Sequence, residues 1–182
     1  MDYVNQPETP YDDVMLMFED EAGFGRINTP KRCLCPEGIR PTVPCLHVRE
    51  YRYAFGAVDP IKGNSHFLVL PRCDTACINY FLQDLSSQFP RSLILLALDG
   101  ASWHKSKGLI IPDNIRLFYL PPATPEMNPI EQIWKEIRKR GFRNELFKTL
   151  IKVIDRLCDT ISGLSADSIK SITGRQWIKS MF

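Results

Sequence analysis

The sequence predicts an α/β fold in which helices flank a central, mixed five-stranded sheet. Residues 93–98 form an unbroken apolar run that ends at Asp99 and Gly100, as in a strand covered by helices on both faces. Other short β-type segments alternate with segments whose apolar residues recur at helical spacing. The chain has 182 residues, of which 44% are hydrophobic, so we expect one domain with one core.

The N-terminal half is predicted to supply three strands and one helix. The predicted strands are residues 14–18, 51–58 and 66–70, the last two forming a hairpin. Residues 26–49 are rich in Pro, Gly and Cys, which predicts an irregular connection. Residues 75–88 have apolar residues at helical spacing, with Asp74 as the predicted N-cap.

The C-terminal half is predicted to add two strands and three helices. The strands are the run that ends at Asp99 and residues 115–120, and the helices are residues 129–140, 144–159 and 166–171. Three strands, a helix, a strand, a connection, a strand and a helix form the order of the ribonuclease-H-like fold.

Charge placement is more informative than the net charge, because 23 basic and 21 acidic residues nearly cancel. Acidic residues are concentrated within residues 1–21 and basic residues within 135–152. The basic stretch suits either a nucleic-acid backbone or a solvated helix face. No run approaches the roughly 20 apolar residues that a membrane span needs, and the N-terminus has no secretory pattern, so we expect a cytoplasmic protein.

The six cysteines are expected to be reduced thiols, because they are scattered in a chain large enough to fold without disulfides. Cys33 and Cys35, together with Cys45 and His47, offer an alternative: four ligands for structural zinc. Each pair is separated by one residue rather than the usual two to four, which favours unliganded thiols.

Three acidic positions predict a metal site. Asp99 lies at the carboxyl edge of a central strand, where open α/β sheets place their chemistry. Asp20 follows the first strand, and alternation places it on the face of Leu16 and Phe18. Glu131 lies early in a predicted helix. Three carboxylates converging on a divalent ion indicate a metal-dependent phosphoryl-transfer enzyme.

Each acid also has an ordinary structural explanation. Asp20 belongs to an acidic triplet that suits a solvated strand end, and Asp99 suits an Asp-Gly turn. Glu131 suits a capping box with Asn128 as the N-cap, or an ion pair with Lys135 four residues on. From the residues alone, both sets of explanations stay open.

Four segments together resemble the DDE transposases of bacteria, in the insertion-sequence group related to mariner elements. They are the sequences FEDE at 18–21, GAVDP at 56–60, LDGASWH at 98–104 and LPPATPEMNPIEQIW at 120–134. The resemblance implies that Asp20, Asp99 and Glu131 are the catalytic acids and bind two Mg²⁺ or Mn²⁺ ions.

The implied function is metal-dependent cleavage and strand transfer of DNA at insertion-sequence ends. The implied domain organisation is a leader at 1–13, a catalytic domain at 14–142 and a helical extension of it at 143–182. DNA contacts are expected at His104, Lys135, Arg138, Lys139, Arg140 and Arg143. For His104, a hydrogen-bonded structural role is the alternative.

The expected partners are transposon-end and target DNA and further copies of the chain. The family reads its ends with a helix-turn-helix, and the first predicted strand begins at residue 14, so we expect that element on a separate polypeptide. Two other hypotheses are a non-catalytic DNA-binding or oligomerising remnant, and a ribonuclease-H-like nuclease with another substrate.

Overall fold

The computed structural model describes residues 10–27, 30–32, 34–42, 45–122 and 124–179, the side chains of 125 and 179 excepted. Its centre is a mixed five-stranded sheet, as predicted. The strands are β1 (Asp13–Gly25), β2 (Tyr51–Val58), β3 (Ser65–Leu70), β4 (Ser92–Leu98) and β5 (Ile115–Tyr119). They lie in the order β3-β2-β1-β4-β5. β1 pairs antiparallel with β2 and parallel with β4, so it lies at the centre of the sheet.

Helices cover both faces of the sheet. They are α1 (Thr75–Gln88), α2 (Ile130–Gly141), α3 (Leu150–Ser162), α4 (Ala166–Thr173) and α5 (Gln176–Lys179), with two 3₁₀ turns at Ser102–Lys105 and Pro125–Met127. α1 packs its apolar residues on the face of Met15 and Met17. α2, α3 and α4 cover the opposite face, which carries Phe18 and Ala22. Among the residues described, no helix combines the length and apolarity that crossing a bilayer requires.

The first strand is much longer than the prediction of residues 14–18. It continues to Gly25 because residues 18–25 pair with the whole of β2. The acidic triplet therefore lies within a strand and not at its end. The parallel neighbour β4 stops earlier, since its last partner on β1 is Phe18, opposite Ala97. Asp20 and Asp99 are each two residues beyond that pair, so they lie at the same level of the sheet.

The third helix begins later than predicted, at Leu150 rather than at residue 144. Asn144 has a φ of 55°, in the left-handed region, which is incompatible with a continuing right-handed helix. Thr149 caps the observed helix by accepting a hydrogen bond from the backbone N–H of Lys152. The other predicted elements agree with the structure to within two residues, and Asp74 caps α1 as expected.

Candidate metal and active site

The three predicted acids line one pocket of about 710 Å³. Asp20 comes from β1, Asp99 follows β4 and Glu131 lies in the first turn of α2. We call this space the acidic pocket. The structure thus brings together three carboxylates that are far apart in the sequence, at the carboxyl end of β4.

Asp20 is held from the side of α2. Its Oδ2 accepts a 2.9 Å hydrogen bond from Nε1 of Trp134. Burial raises the pKa of Asp20 to about 7, and the charge of Glu131 adds to that rise, while the hydrogen bond from Trp134 opposes it. A negative charge is therefore costly at Asp20 in the protein alone, and a bound cation would relieve that cost.

Asp99 serves both a turn and the pocket. Its Oδ1 accepts a 2.9 Å hydrogen bond from the N–H of Ala101, as in an Asp-Gly turn, and lies 3.0 Å from Nδ1 of His104. In the described part of the chain, its Oδ2 has no hydrogen-bond partner. The side chain is 59% exposed. The turn interpretation and the ligand interpretation are therefore compatible, because they use different oxygens.

Glu131 does not form the capping box that its spacing suggests. Pro129 is the N-cap of α2, and no side chain caps it. The amide of Asn128 instead donates a 2.8 Å hydrogen bond to the carbonyl of Glu19, which ties the start of α2 to β1. Within the described residues, the carboxylate of Glu131 has neither a hydrogen bond nor an ion pair, so Lys135 is not its partner. It remains available at the wall of the pocket.

His104 does not have the DNA contact considered for it, because it is fully buried beneath Asp99. Its Nδ1 faces Oδ1 of Asp99 at 3.0 Å, and its Nε2 faces Oε1 of Glu21 at 3.1 Å. Burial alone would lower the pKa of His104. The hydrogen bonds and charges of Glu21 and Asp99 outweigh that effect, so the net result is a pKa above the usual value for histidine. Trp103 packs beside it and donates a 2.7 Å hydrogen bond to Oε1 of Glu21.

Sequence reasoning missed the burial of Glu19 and Glu21. Alternation along β1 places them on the face of Met15 and Met17, and that face is covered by α1 and by the 3₁₀ turn at Ser102–Lys105. Glu19 is 0% exposed. Its pKa is raised well above the usual value by burial and by the charges of Glu21 and Asp20. No pattern within β1 signals this, because the covering residues lie more than 50 positions away.

Lys105 is a second residue that sequence reasoning missed. Among the described residues that line the acidic pocket, it is the one cation. Its Nζ lies 5.3 Å from the ring centroid of Tyr119, whose hydroxyl donates a 2.7 Å hydrogen bond to the carbonyl of His104. A cation at the rim of an acidic pocket suits a phosphate that bridges metal and protein.

A second pocket, of about 780 Å³, lies beside the first and carries most of the predicted DNA contacts. We call it the basic groove. Its cationic lining residues are Lys31, Arg32, Lys135, Arg138, Lys139 and Arg143. Phe24 forms part of its floor, and the guanidinium of Arg138 lies 4.9 Å from that ring. Arg140 is not among the lining residues and pairs with Glu136 at 2.7 Å.

Five cysteines lie in the described part of the chain, and all five are free thiols, as expected. Cys33 lies outside the described residues, so the zinc alternative stays untested there. Of its other members, Cys45 and His47 are exposed. Sγ of Cys35 donates a hydrogen bond to the carbonyl of Ile39 at 3.2 Å.

Comparisons with known proteins agree with the fold. Residues 15–154 match the family model described as DDE superfamily endonuclease. The uncharacterised protein y4pE/y4sA of Sinorhizobium fredii is 37% identical over 130 residues, which span 70% of this chain and 96% of that protein.

Two solved structures of Mos1 share the fold. The strand transfer complex matches with a TM-score of 0.67 and 13% identity, over 88% of this chain and 50% of that chain. The Mos1 mariner paired end complex with Mn also matches with a TM-score of 0.67, at 12% identity, over 88% of this chain and 52% of that one. The chain therefore spans about half the length of the Mos1 chains that it matches.

Proposed function

The chain belongs to the DDE superfamily of endonucleases and has the ribonuclease-H-like fold of a transposase catalytic domain, and we propose that it cuts and joins DNA at insertion-sequence ends. The observation that carries the proposal is the acidic pocket, where Asp20, Asp99 and Glu131 converge from three separate elements. We assign the catalytic domain to residues 14–142 and its extension to 143–182, because α3 and α4 share the core of α2.

Divalent metal use follows from the family, and the residues of the acidic pocket fit it. Mg²⁺ and Mn²⁺ prefer hard oxygen ligands, and the pocket offers three carboxylates. Oδ2 of Asp99 and the carboxylate of Glu131 have no partners in the described part of the chain. Burial disfavours the ionised form of Asp20. We assign all three as ligands and propose two ions, which suits a site with three acids and a phosphate.

Two bound metal ions would activate an oxygen nucleophile and stabilise the leaving oxygen of a phosphodiester. The protein's own residues prepare that site. Trp134 fixes the orientation of Asp20. His104 and Ala101 both contact Oδ1 of Asp99 and so fix its orientation, which leaves Oδ2 available for a metal ion. Lys105 would bind the substrate phosphate at the rim. No protein nucleophile is required.

The basic groove gives the DNA backbone a path to the acids. Glu131 and Lys135 are one helical turn apart on α2, about 6 Å along its axis, and Asp20 and Gly23 are three residues apart on β1, about 10 Å along the strand. Moving along both elements therefore leads from the acidic pocket into the basic groove. Its lysines and arginines would neutralise phosphates without reading sequence.

Recognition of specific ends would need a further element. We propose that a separate helix-turn-helix polypeptide supplies it, because the described residues that line the basic groove include no evident element that reads a major groove. The chain would act on DNA in the cytoplasm, as a homo-oligomer that holds transposon ends and target DNA together. The Mos1 structures that share this fold are a strand transfer complex and a paired end complex, which supports an oligomer.

The proposal is tested by nicking of supercoiled plasmid in Mg²⁺ or Mn²⁺. Asp99→Asn keeps the shape of the side chain and can still accept the hydrogen bond from Ala101, so the fold should persist while nicking falls to background. Asp113→Asn is the matched control, because Asp113 is exposed and does not line the acidic pocket. Parent-rate nicking by Asp99→Asn would contradict the site assignment.

The same assay separates the alternatives. A parent chain that binds plasmid but never nicks it would favour the non-catalytic remnant. Nicking without any joined product, when pre-cut element ends are supplied, would favour a nuclease with another substrate.

A further inference from the structure

Beneath the acidic pocket lies a second group of metal-binding side chains: Glu19, Glu21 and His104. One ligand atom from each lies within 4.8 Å of the other two. The side chains are 0%, 6% and 0% exposed, respectively. We call this group the buried cluster. It uses the opposite face of β1 from Asp20, so it is not part of the acidic pocket.

Glu19 is the residue of the buried cluster whose carboxyl group is buried without a hydrogen bond from any described residue. Neither oxygen of its carboxyl group has a hydrogen-bond partner in the described part of the chain. Nε2 of His104 lies 3.7 Å from Oε2 of Glu19, which is too far for a hydrogen bond. Burying a carboxyl group without partners is costly, so a residue kept in that state indicates a missing contact.

The tautomer of His104 also indicates a missing contact. Its Nδ1 faces two acceptors, the carbonyl and Oδ1 of Asp99, at 3.2 and 3.0 Å, so Nδ1 must carry a proton. In the neutral ring, Nε2 is then an acceptor that faces oxygens of Glu21 and Glu19. Three acceptors converge, and only a proton or a cation can lie between them.

Charge favours a metal ion over a proton. A proton on Nε2 would bond to Glu21 at 3.1 Å but leave Glu19 at 3.7 Å without a hydrogen bond. A divalent ion would bind both carboxylates and the ring together, and its charge would balance theirs. One oxygen of Glu19, one oxygen of Glu21 and the ring nitrogen of His104 would then each have a partner.

The spacing of the ligand atoms fits a small tetrahedral ion. Metal–ligand distances of about 2.0–2.2 Å imply ligand–ligand edges of about 3.3–3.6 Å in a tetrahedron. The distances from Nε2 of His104 to Oε1 of Glu21 and to Oε2 of Glu19, 3.1 and 3.7 Å, lie on either side of that range. Small side-chain movements would equalise them.

The neighbours of the cluster resemble those around established metal sites. The Nδ1–H of His104 bonds to a carboxylate, the arrangement that fixes the tautomer of metal-binding histidines. Nε1 of Trp103 donates to the proposed ligand oxygen of Glu21 and fixes its orientation. These contacts already hold the ring nitrogen toward the cluster.

We propose that Glu19, Glu21 and His104 bind one divalent transition-metal ion, separate from the ions of the acidic pocket. Zn²⁺ suits the mixed imidazole and carboxylate set. The ion would tie the middle of β1 to the 3₁₀ turn at Ser102–Lys105. Because His104 also contacts Asp99, the buried site would position one acid of the acidic pocket.

The test is made on the full chain carrying Asp20→Asn and Glu131→Gln, which weaken the acidic pocket and leave Asp99 in contact with His104. This protein is loaded with Zn²⁺, dialysed against a weak chelator and analysed by mass spectrometry for metal. We expect about one equivalent of retained zinc. In the same background, Glu19→Gln should lose it and Glu126→Gln, an exposed control, should keep it.

Co²⁺ provides a second readout. Tetrahedral Co²⁺ in the buried cluster should give visible absorption in the background protein and in Glu126→Gln but not in Glu19→Gln. If Glu19→Gln fails to fold, Glu21→Gln takes its place.

Absence of retained zinc in the background protein would overturn the proposal. So would equal retention by Glu19→Gln, or loss of the zinc on changing Cys35 and Cys45 to Ser. None of these outcomes depends on DNA cleavage, so failure here is distinguishable from failure of the proposed function.

Discussion

Trp134 donates a 2.9 Å hydrogen bond to Asp20, so the helix that carries Glu131 also holds the carboxylate of the central strand. Gly56 makes this contact possible. It lies opposite Asp20 in β2, and a Cβ there would come within 2.8 Å of Cη2 of Trp134 and 2.7 Å of the Phe67 ring. The geometry of the acidic pocket therefore depends on close packing of α2 against the sheet.

We predict that Gly56→Ala displaces Trp134 and disturbs Asp20. Overpacking of this kind costs about 1–3 kcal/mol, so the free energy of unfolding in urea should fall by that amount. Plasmid nicking should fall as well, because Asp20 loses its orienting hydrogen bond.

Gly23→Ala is the matched control for the free energy of unfolding, and not for nicking, because Gly23 lines the basic groove where DNA is proposed to bind. A Cβ at Gly23 would meet the ring of Tyr53 at 3.5 Å, an ordinary contact. Equal effects of the two substitutions would show that the contact between Trp134 and Gly56 has no special role.

A second prediction concerns pH and the stability of the metal-free protein. The pKa of Asp20 is about 7 in the folded state, against 3.8 for an ordinary aspartate. Between these values the folded state keeps a proton that the unfolded state releases. The stability contributed by protonated Asp20 is therefore complete below about pH 4 and is lost as the pH rises through about 7.

The size of this effect is at most about 4 kcal/mol, since each tenfold change in proton affinity is worth about 1.4 kcal/mol. We expect Asp20→Asn in EDTA to be more stable than the parent at pH 8 and to lose part of the parent's pH dependence. Urea unfolding at pH 4.5 and pH 8 measures both. A parent-like pH dependence in Asp20→Asn, with Asp113→Asn as control, would rule out the raised pKa.

A third prediction concerns the basic groove. Lys135→Ala and Lys139→Ala should each weaken binding to DNA of any sequence and reduce the slope of log K against log salt by about one. Fluorescence anisotropy over a salt series measures both quantities. Lys152→Ala is the control, because Lys152 lies on α3 outside the groove. If all three substitutions act alike, the groove is not the DNA path.

A fourth prediction concerns the cysteines. Burial is the largest of the effects that raise the pKa of Cys73 to about 12, whereas Cys35, Cys45 and Cys158 are exposed. The three exposed thiols should react with a thiol reagent in the folded protein, and Cys73 should react far more slowly. Mass spectrometry of labelled peptides measures the rate at which each thiol reacts. Replacing the three exposed cysteines with Ser should leave the fold intact. Unfolding of that variant would contradict the claim that the cysteines are reduced and are not needed for folding.

Much of the fold follows from local sequence pattern. The short apolar run before Asp99, bounded by a turn signal, predicts a buried strand, and the spacing of Ile130, Ile133, Trp134 and Ile137 predicts the buried face of α2. Asp99 was identifiable for the same reason, since it ends that run. These features depend on residues that are close together in the chain, so a local sequence pattern is enough to predict them.

Other features depend on distant residues and were not predictable locally. The extension of β1 through Glu19 to Gly25 depends on pairing with β2, and the burial of Glu19 depends on covering elements far along the chain. The capping-box explanation of Glu131 fails because the amide of Asn128 donates to the carbonyl of Glu19 on β1, a contact between residues far apart in the chain. His104 was ambiguous because its burial depends on where the loop after Asp99 packs.

The most direct test of the central claim is a titration of Mn²⁺ into the protein at pH 8, with free Mn²⁺ measured by electron paramagnetic resonance. The comparison is between the parent, Glu131→Gln and Glu126→Gln, all of which keep the buried cluster unchanged. If Asp20, Asp99 and Glu131 form one metal site, Glu131→Gln should weaken Mn²⁺ binding at least tenfold, and Glu126→Gln should match the parent. Parent-like Mn²⁺ binding by Glu131→Gln would contradict the account.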